Sequence, residues 1–232
     1  MFHLPVSVEG HTFLPALFEA NPVVLDFGMN RGRFAMAMAH DFGATVYGAE
    51  PVASLFAALP SHPRIKPHAV AVGGLDDRVT LFHHDGSDAS LTADLHARPS
   101  ASNEAVDVWS LRTFIERAAM DRADLLKVDI EGAECDLIDA ASDMDLLRFG
   151  QIAVEFHDFL LPKLGLRVEA TKVRLEHAGF RRINFSLNNG DVLFIRSDLI
   201  GRLDVTWLLL CKYAQGAFRI GNRWTATTRP TQ

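Results

Sequence analysis

The chain has 232 residues, 48% apolar and 22% charged, with 23 basic and 29 acidic side chains and a formal net charge of −6. That balance fits one folded domain with terminal additions and excludes a disordered or collagen-like chain. It also argues against a broad electrostatic grip on nucleic acid, whose usual footprint is a basic surface. Cys135 and Cys211 are the only cysteines, and their distant positions give neither a disulfide framework nor a zinc spacing. The opening residues, MFHLPVSVEG, lack the basic start and apolar run of a signal peptide. The apolar stretch Trp207–Cys211 is too short to cross a bilayer. The expectation is a cytoplasmic chain with no membrane partner.

Residues 1–22 read as an N-terminal extension, in which Leu14, Leu17 and Phe18 have helical spacing. Val23–Phe27 is a short apolar run carrying Asp26, the pattern of a strand buried on both faces. Gly28 to Gly32 forms a turn and Phe34–Phe42 a helix. Thr45–Ala49 is a strand ended by Glu50 and Pro51, and Val52–Leu59 a helix stopped by Pro60. Ile65–Val72 reads as a third strand, and Arg78–His83 as an extra strand in a hairpin. His83 and His84 fit that hairpin better than a ligand set. Asp85–Asn103 is rich in Ser, Asp and Ala and reads as a long loop, which in a compact domain tends to be functional.

Val106–Trp109 is a brief strand, Leu111–Ala119 a helix, Leu125–Ile130 a strand and Ala133–Leu147 a helix. Gln151–Phe156 is a strand, and Arg167–Ala178 a helix closed by Gly179. Phe180–Leu187 and Val192–Arg196 form a hairpin through Asn188, Asn189 and Gly190. Residues 197–232 read as a C-terminal extension with a mobile end. Their apolar segment Trp207–Leu210 suits either a cover for the cleft or a homodimer contact. The alternation over 23–196 predicts an α/β fold: a mostly parallel, doubly wound sheet with an antiparallel C-terminal hairpin edge. Ligands bind such sheets at the carboxyl ends of the strands, so the chemistry belongs there.

Four strand ends carry it. Asp26-Phe-Gly28-Met-Asn30-Arg-Gly32 is a carboxylate followed by a glycine turn into a helix, the form of a nucleotide loop. Asn30 stands where dinucleotide fingerprints carry their middle glycine, which disfavours a pyrophosphate cradle, while Asp26 suits a cationic amine. Glu50 ends the next strand and is placed to accept both hydroxyls of a ribose. In Lys127-Val-Asp129-Ile-Glu131-Gly132-Ala-Glu134, Lys127 and Asp129 share one face of a strand, and Glu134 suits a helix start. Glu155-Phe-His157 ends the next strand, and a histidine in a cleft can take a proton near neutral pH. The carboxylates and His157 could also hold a divalent metal, which the spacing does not require.

The segments VVLDFGMNRGRF, VYGAEP, HAVAVG, LLKVDIEGAE and IAVEFH occur in this order across Val23–Arg196. With them the chain resembles the FkbM family of S-adenosylmethionine-dependent methyltransferases. The resemblance implies a Rossmann-like class I methyltransferase fold and O-methylation of a hydroxyl on a sugar or natural-product small molecule. The family's loop commonly reads Asp-x-Gly-Ala-Asn-x-Gly; here Met29-Asn30-Arg31 fills its centre, and Arg31 is unusually large and charged. The region Ser87–Leu91 retains a trace of the family's serine motif.

On this resemblance Asp26 faces the methionine amine, directly or through water, and Gly28, Asn30 and Gly32 shape the loop. Glu50 holds the ribose, and Ala71 and Val72, or the segment Asp85–Ser87, border the adenine. His157 or Asp129 is the base, His157 being favoured for its unperturbed pKa near neutrality, with Glu155 orienting it. Two other readings share the sheet: an NAD(P)-dependent oxidoreductase and a non-catalytic cofactor-binding scaffold. Asp124–Asp145 holds eight acids and one lysine, which localises the negative charge. An acidic cleft favours a cationic cofactor and a neutral or metal-bridged acceptor over a free polyanion.

Overall fold

The computed structural model describes residues 4–83, 89–90, 103–160 and 162–201. An N-terminal hairpin pairs β1 (Val6–Val8) with β2 (His11–Phe13). Then come β3 (Val23–Phe27), α1 (Arg33–Asp41), β4 (Thr45–Ala49), α2 (Ala53–Ala57) and β5 (Ile65–His68). A second sheet follows from β6 (Ala71–Gly73), β7 (Asp77–His83), β8 (Ala89–Ser90) and β9 (Asn103–Ser110). The main sheet resumes through α3 (Leu111–Arg117), β10 (Ala123–Val128), α4 (Glu134–Ala140), α5 (Asp143–Leu146) and β11 (Phe149–Val154). It closes with α6 (Gly165–His177), β12 (Phe180–Asn184) and β13 (Val192–Arg196).

The main sheet has seven strands in the order β12-β13-β11-β10-β3-β4-β5. The pairs β11/β10, β10/β3, β3/β4 and β4/β5 are parallel, and β13 runs antiparallel to both β11 and β12. The chain winds outward from β3 to β5 and then returns to β10 on the other side of β3. The strand order therefore reverses between β3 and β10, where a crevice opens at the carboxyl ends. Val24, Leu25 and Phe27 are wholly buried, as a central strand covered on both faces requires. Leu25 and Phe27 join the core beneath α3, α4 and α6, while Val24 joins the core beneath α1 and the N-terminal hairpin.

Several elements depart from the sequence expectation. Ile65–Val72 is two strands in two sheets. β5 is an edge strand, so Pro67 costs no ladder bond on its open side, and the chain leaves the sheet after His68. The expected helix Ala133–Leu147 breaks at Ala141–Ser142, because Ser142 turns its Oγ to accept the Asp145 N–H (3.1 Å) and starts a new helix. The helical spacing at Leu14–Phe18 yields only a 3₁₀ turn, Pro15–Leu17. β10 and β11 stop at Val128 and Val154, so Asp129 and Glu155 lie just past their strands and His157 opens a 3₁₀ turn. His84, most of the loop Asp85–Asn103, the Ser87–Leu91 trace apart from Ala89 and Ser90, and the segment Trp207–Gln232 fall outside the described residues. Among the described residues no helix is long and apolar enough to cross a membrane.

Candidate functional site

Crowding of backbone makes the turn after β3. Gly28 has φ +82°, and a Cβ there would lie 1.8 Å from the Asp129 carbonyl oxygen, so β10 leaves room for no side chain. The Gly28 and Met29 N–H groups both donate to the Ala49 carbonyl (3.1 Å each), pinning the turn to the end of β4. Met29 lies across Gly48, where a Cβ would meet its sulfur at 2.2 Å. Asn30 sits at φ 50° and Gly32, which caps α1, at φ 71°. Three positions of the turn are left-handed, two of them glycines, and asparagine is tolerated at the middle one because it enters that region more readily than most residues.

Glu50 holds this turn from below. Its Oε2 accepts the Asn30 N–H (2.7 Å) and its Oε1 the Val52 N–H (2.9 Å). The side chain is buried, and burial pushes its pKa up to about 7 against the pull of these two hydrogen bonds. The structure therefore gives Glu50 a structural task that the sequence reading did not foresee. Both of its oxygens are engaged with the protein's own backbone before any ribose arrives.

Asp26 differs more from expectation. It is 0% exposed, and neither carboxylate oxygen has a directed hydrogen bond. Its nearest charge is Lys127, with Nζ 3.1 Å from Oδ1. That ammonium also donates to the Gly28 carbonyl (2.6 Å) and lies 3.5 Å from Asp129 Oδ2. Burial alone would discharge Lys127, but Asp26 and Asp129 outweigh it and hold its pKa above the usual value. Asp26 itself is pushed up by burial, with Lys127 pulling back. Direct access of a ligand amine to Asp26 is blocked by this ion pair.

At the ends of β10 and β11 the acids gather around a histidine. His157 is 5% exposed, and its Nδ1 is hydrogen-bonded to Glu134 Oε1 at 2.8 Å. Its Nε2 lies 3.3 Å from Glu131 Oε2 and 3.8 Å from Asp129 Oδ1. Burial lowers its pKa, but Glu134 first, then Glu131 and Asp129, more than reverse this and raise it to about 9. Both nitrogens are turned to carboxylates, an arrangement that favours the imidazolium and leaves the ring no lone pair directed at a substrate. The expectation of His157 as base used the pKa of a free histidine, and these carboxylates weigh against it.

Asp129 feels burial upward, but Lys127 and then His11 overcome it and hold its carboxyl below the usual carboxylate range. Glu155 is half-buried and moves the other way, raised by burial and then by Asp129. Ala71 and Val72 are 3% and 2% exposed on β6, with their side chains in the core, so only their backbone can border a ligand.

A cavity of about 290 Å³ lies over this turn, lined by Gly28, Asn30, Phe34, Lys127, Asp129 and His11. Glu9, Arg31 and Arg33 also line it. The sequence reading missed His11, which arrives from the N-terminal hairpin with Nε2 3.4 Å from Asp129 Oδ2. No motif marks it among ten histidines. Two sets of groups come within 4.8 Å of one another, namely His11, Asp129 and Glu155, and Asp129, Glu131 and His157. Their shared member Asp129 already faces the Lys127 ammonium and the His157 imidazolium, so the charge a cation would balance is largely balanced from within.

Comparison with known proteins bears on what this cleft serves. No curated protein matches the chain. Human methyltransferase-like protein 13 in complex with SAH is 12% identical, with 86% of each chain covered and a TM-score of 0.48. The Methanococcus jannaschii fibrillarin pre-rRNA processing protein is 13% identical over 82% of this chain and 69% of its own, with a TM-score of 0.43. M. capricolum TrmK in complex with S-adenosyl-homocysteine is 7% identical over 83% of this chain and 71% of its own, at a TM-score of 0.35. A family model, the methyltransferase FkbM domain, matches residues 26–182, from the glycine turn through both acidic strand ends to β12. On that match, and on a sheet of the Rossmann-like class I methyltransferase kind, the chain belongs to the FkbM methyltransferase family.

Proposed function

We propose that the chain methylates a hydroxyl oxygen of a sugar or natural-product small molecule, with S-adenosylmethionine as donor. The observation that carries this reading is the FkbM domain match over residues 26–182. S-adenosylmethionine supplies, when bound, a methyl group made electrophilic by a sulfonium centre. The residues present fit such a ligand. Gly28, Asn30 and Gly32 are left-handed, so the turn brings backbone rather than side chains to the crevice. Asp129 lines the cavity wall, and Glu50 lies under the turn.

The roles follow from charge state. Asp26 acts behind Lys127, fixing the ammonium that holds the Gly28 carbonyl and Asp129 in place. Asp129 is too acidic to be an effective base, and His157 is already protonated. We assign proton removal to Glu155, whose carboxylate is made more basic than a free one by burial and the neighbouring Asp129. His157 then positions Glu131 and Asp129 from their far side.

Against an NAD(P)-dependent oxidoreductase, the centre of the turn is Asn30, whose N–H is given to Glu50 and not free for a pyrophosphate. Titration calorimetry of the chain with S-adenosylhomocysteine and, separately, NAD tests the reading. Binding of the first alone supports it, and binding of NAD alone overturns it. Radiolabel transfer from S-adenosylmethionine to a panel of hydroxyl compounds tests the acceptor class. Cofactor binding with no transfer to any of them would point to a scaffold.

A further inference from the structure

The N-terminal hairpin lies outside the matched residues 26–182, yet it delivers a buried imidazole to the cleft. His11 is 2% exposed, with its ring edge-on to Phe34 at 5.8 Å between centroids. The residue after it is clamped by Asp191, which accepts the Thr12 N–H (3.0 Å) and the Thr12 hydroxyl (2.6 Å). Leu14 is clamped by Gln151, which accepts the Leu14 N–H (2.8 Å) and donates to its carbonyl (3.1 Å). Four buried hydrogen bonds to distant segments thus fix the strand that carries this ring.

The ring has one engaged side and one open one. Nε2 meets Asp129 Oδ2 at 3.4 Å, while Nδ1 is buried with no hydrogen-bond partner. One nitrogen of His11, one oxygen of Asp129 and one oxygen of Glu155 lie within 4.8 Å of one another. The charged groups acting on the ring are Asp129, Glu155 and Asp26 from the sheet, with Lys127 beside Asp129. Glu9, on its own hairpin, is paired with Arg33 at 3.9 Å.

We propose that His11 receives the proton released in methyl transfer, passed on by Glu155, and that Asp129 stabilises the imidazolium so formed. The proposal rests on the methyl-transfer reading above. As the acceptor oxygen bonds to the methyl carbon, its O–H bond breaks and the proton goes to the Glu155 carboxylate. The electron pair of the broken carbon–sulfur bond stays on sulfur. The proton then moves from Glu155 to His11, so the positive charge lost from the sulfonium reappears on a ring beside Asp129. Glu155 is thereby left ionised for the next acceptor. His157 cannot serve in this way, since its two nitrogens already face Glu134 and Glu131.

The test needs no acceptor. Ring ¹⁵N and ¹H shifts of the full chain are followed from pH 5 to 10, first with S-adenosylhomocysteine, whose sulfur is neutral. The same titration is run with sinefungin, which carries an amine cation at the methyl position. His11 is assigned from its contacts to the Phe34 ring, with His11→Gln as a check if that variant folds. A proton acceptor close to the reaction axis feels that cation, so His11 should protonate at a pH higher by about half a unit or more in the first complex. In Asp129→Asn the His11 midpoint should fall. Equal midpoints in the two complexes, or a ring that stays in one state throughout, would overturn the proposal. If S-adenosylhomocysteine does not bind at all, the methyl-transfer reading fails instead.

Discussion

His157 gives the most exacting prediction. Its pKa rises from 6.5 to about 9 on folding, so the folded state binds the proton more tightly than the unfolded chain. The stability this supplies is fully present below pH 6.5 and is lost as pH rises through about 9. Linkage over that window gives about 2.5 kcal/mol at pH 7 and about 0.5 kcal/mol at pH 9. The group is 5% exposed, so solvent screening does not discount the figure much. For a chain of this length, a loss of about 2 kcal/mol lowers Tm by about 4 to 8 °C. Scanning calorimetry of the wild type and His157→Gln from pH 6.5 to 9.5 measures it. Gln can still donate to Glu134 but carries no charge. The wild-type Tm should fall toward that of the variant as pH rises, closing most of the gap by pH 9.5. Other groups that titrate in this range cancel in the difference. Parallel curves would mean that His157 is not an imidazolium, and the reassignment of the base to Glu155 would fall with it.

Other outcomes follow from the same geometry. Gly28→Ala puts a Cβ 1.8 Å from the Asp129 carbonyl at φ +82°, so it should destabilise by more than about 3 kcal/mol in urea unfolding. Gly32→Ala, whose Cβ meets only the Pro60 and Leu59 side chains at 2.9 and 3.1 Å, should cost less than half as much. Glu50 is raised from 4.5 to about 7 by burial, so between pH 5 and 8 the wild type should lose about 2 to 3 kcal/mol more than Glu50→Gln does. The same variant should bind S-adenosylhomocysteine at least about tenfold more weakly, because one N–H it holds belongs to Asn30. Asp191→Ala should free the Thr12 N–H and hydroxyl, cost about 1 to 3 kcal/mol, and speed amide exchange in β1 and β2.

What could be read in the sequence was whatever depends on local pattern. The run VVLDF had to be a doubly covered strand, and the glycines after it had to turn. The order of strands and helices then gave the sheet and the crevice. Long-range pairing could not be read. Ile65–Val72 looks continuous because nothing local says that β6 leaves to pair with β9, some forty residues later. Lys127 looked like a residue sharing a face with Asp129, and only the neighbouring strand shows that it meets Asp26. His157 stood out in the sequence by its place at a strand end. Its charge state depends on Glu134, which comes from the start of α4 and looked like a helix-dipole acid. His11 had no local signal, since its meaning comes from Asp129, Asp191 and Gln151, all more than a hundred residues away.

The acidic run Asp124–Asp145 shows how much this matters for substrate charge. Asp124 accepts the N–H groups of Glu19 and Val23 (2.8 Å each) and ties the N-terminal segment to β10. Asp136 and Asp139 meet Arg167 at 2.6 and 3.4 Å, and Asp143 meets Arg174 at 3.3 Å. Asp145 meets Arg112 at 3.1 Å and accepts the Ser142 hydroxyl. Glu134 is held by His157. Six of the eight acids thus stitch neighbouring elements together; of the other two, Asp129 lines the cavity and Glu131 faces His157. The cavity there is bounded by Arg31, Arg33 and Lys127 as well as by Glu9 and Asp129. Most of the negative charge of this run is therefore engaged in tertiary contacts and does not line the cavity. Arg31, exposed in the loop before α1, and Arg33, exposed on its first turn, add positive charge to the rim.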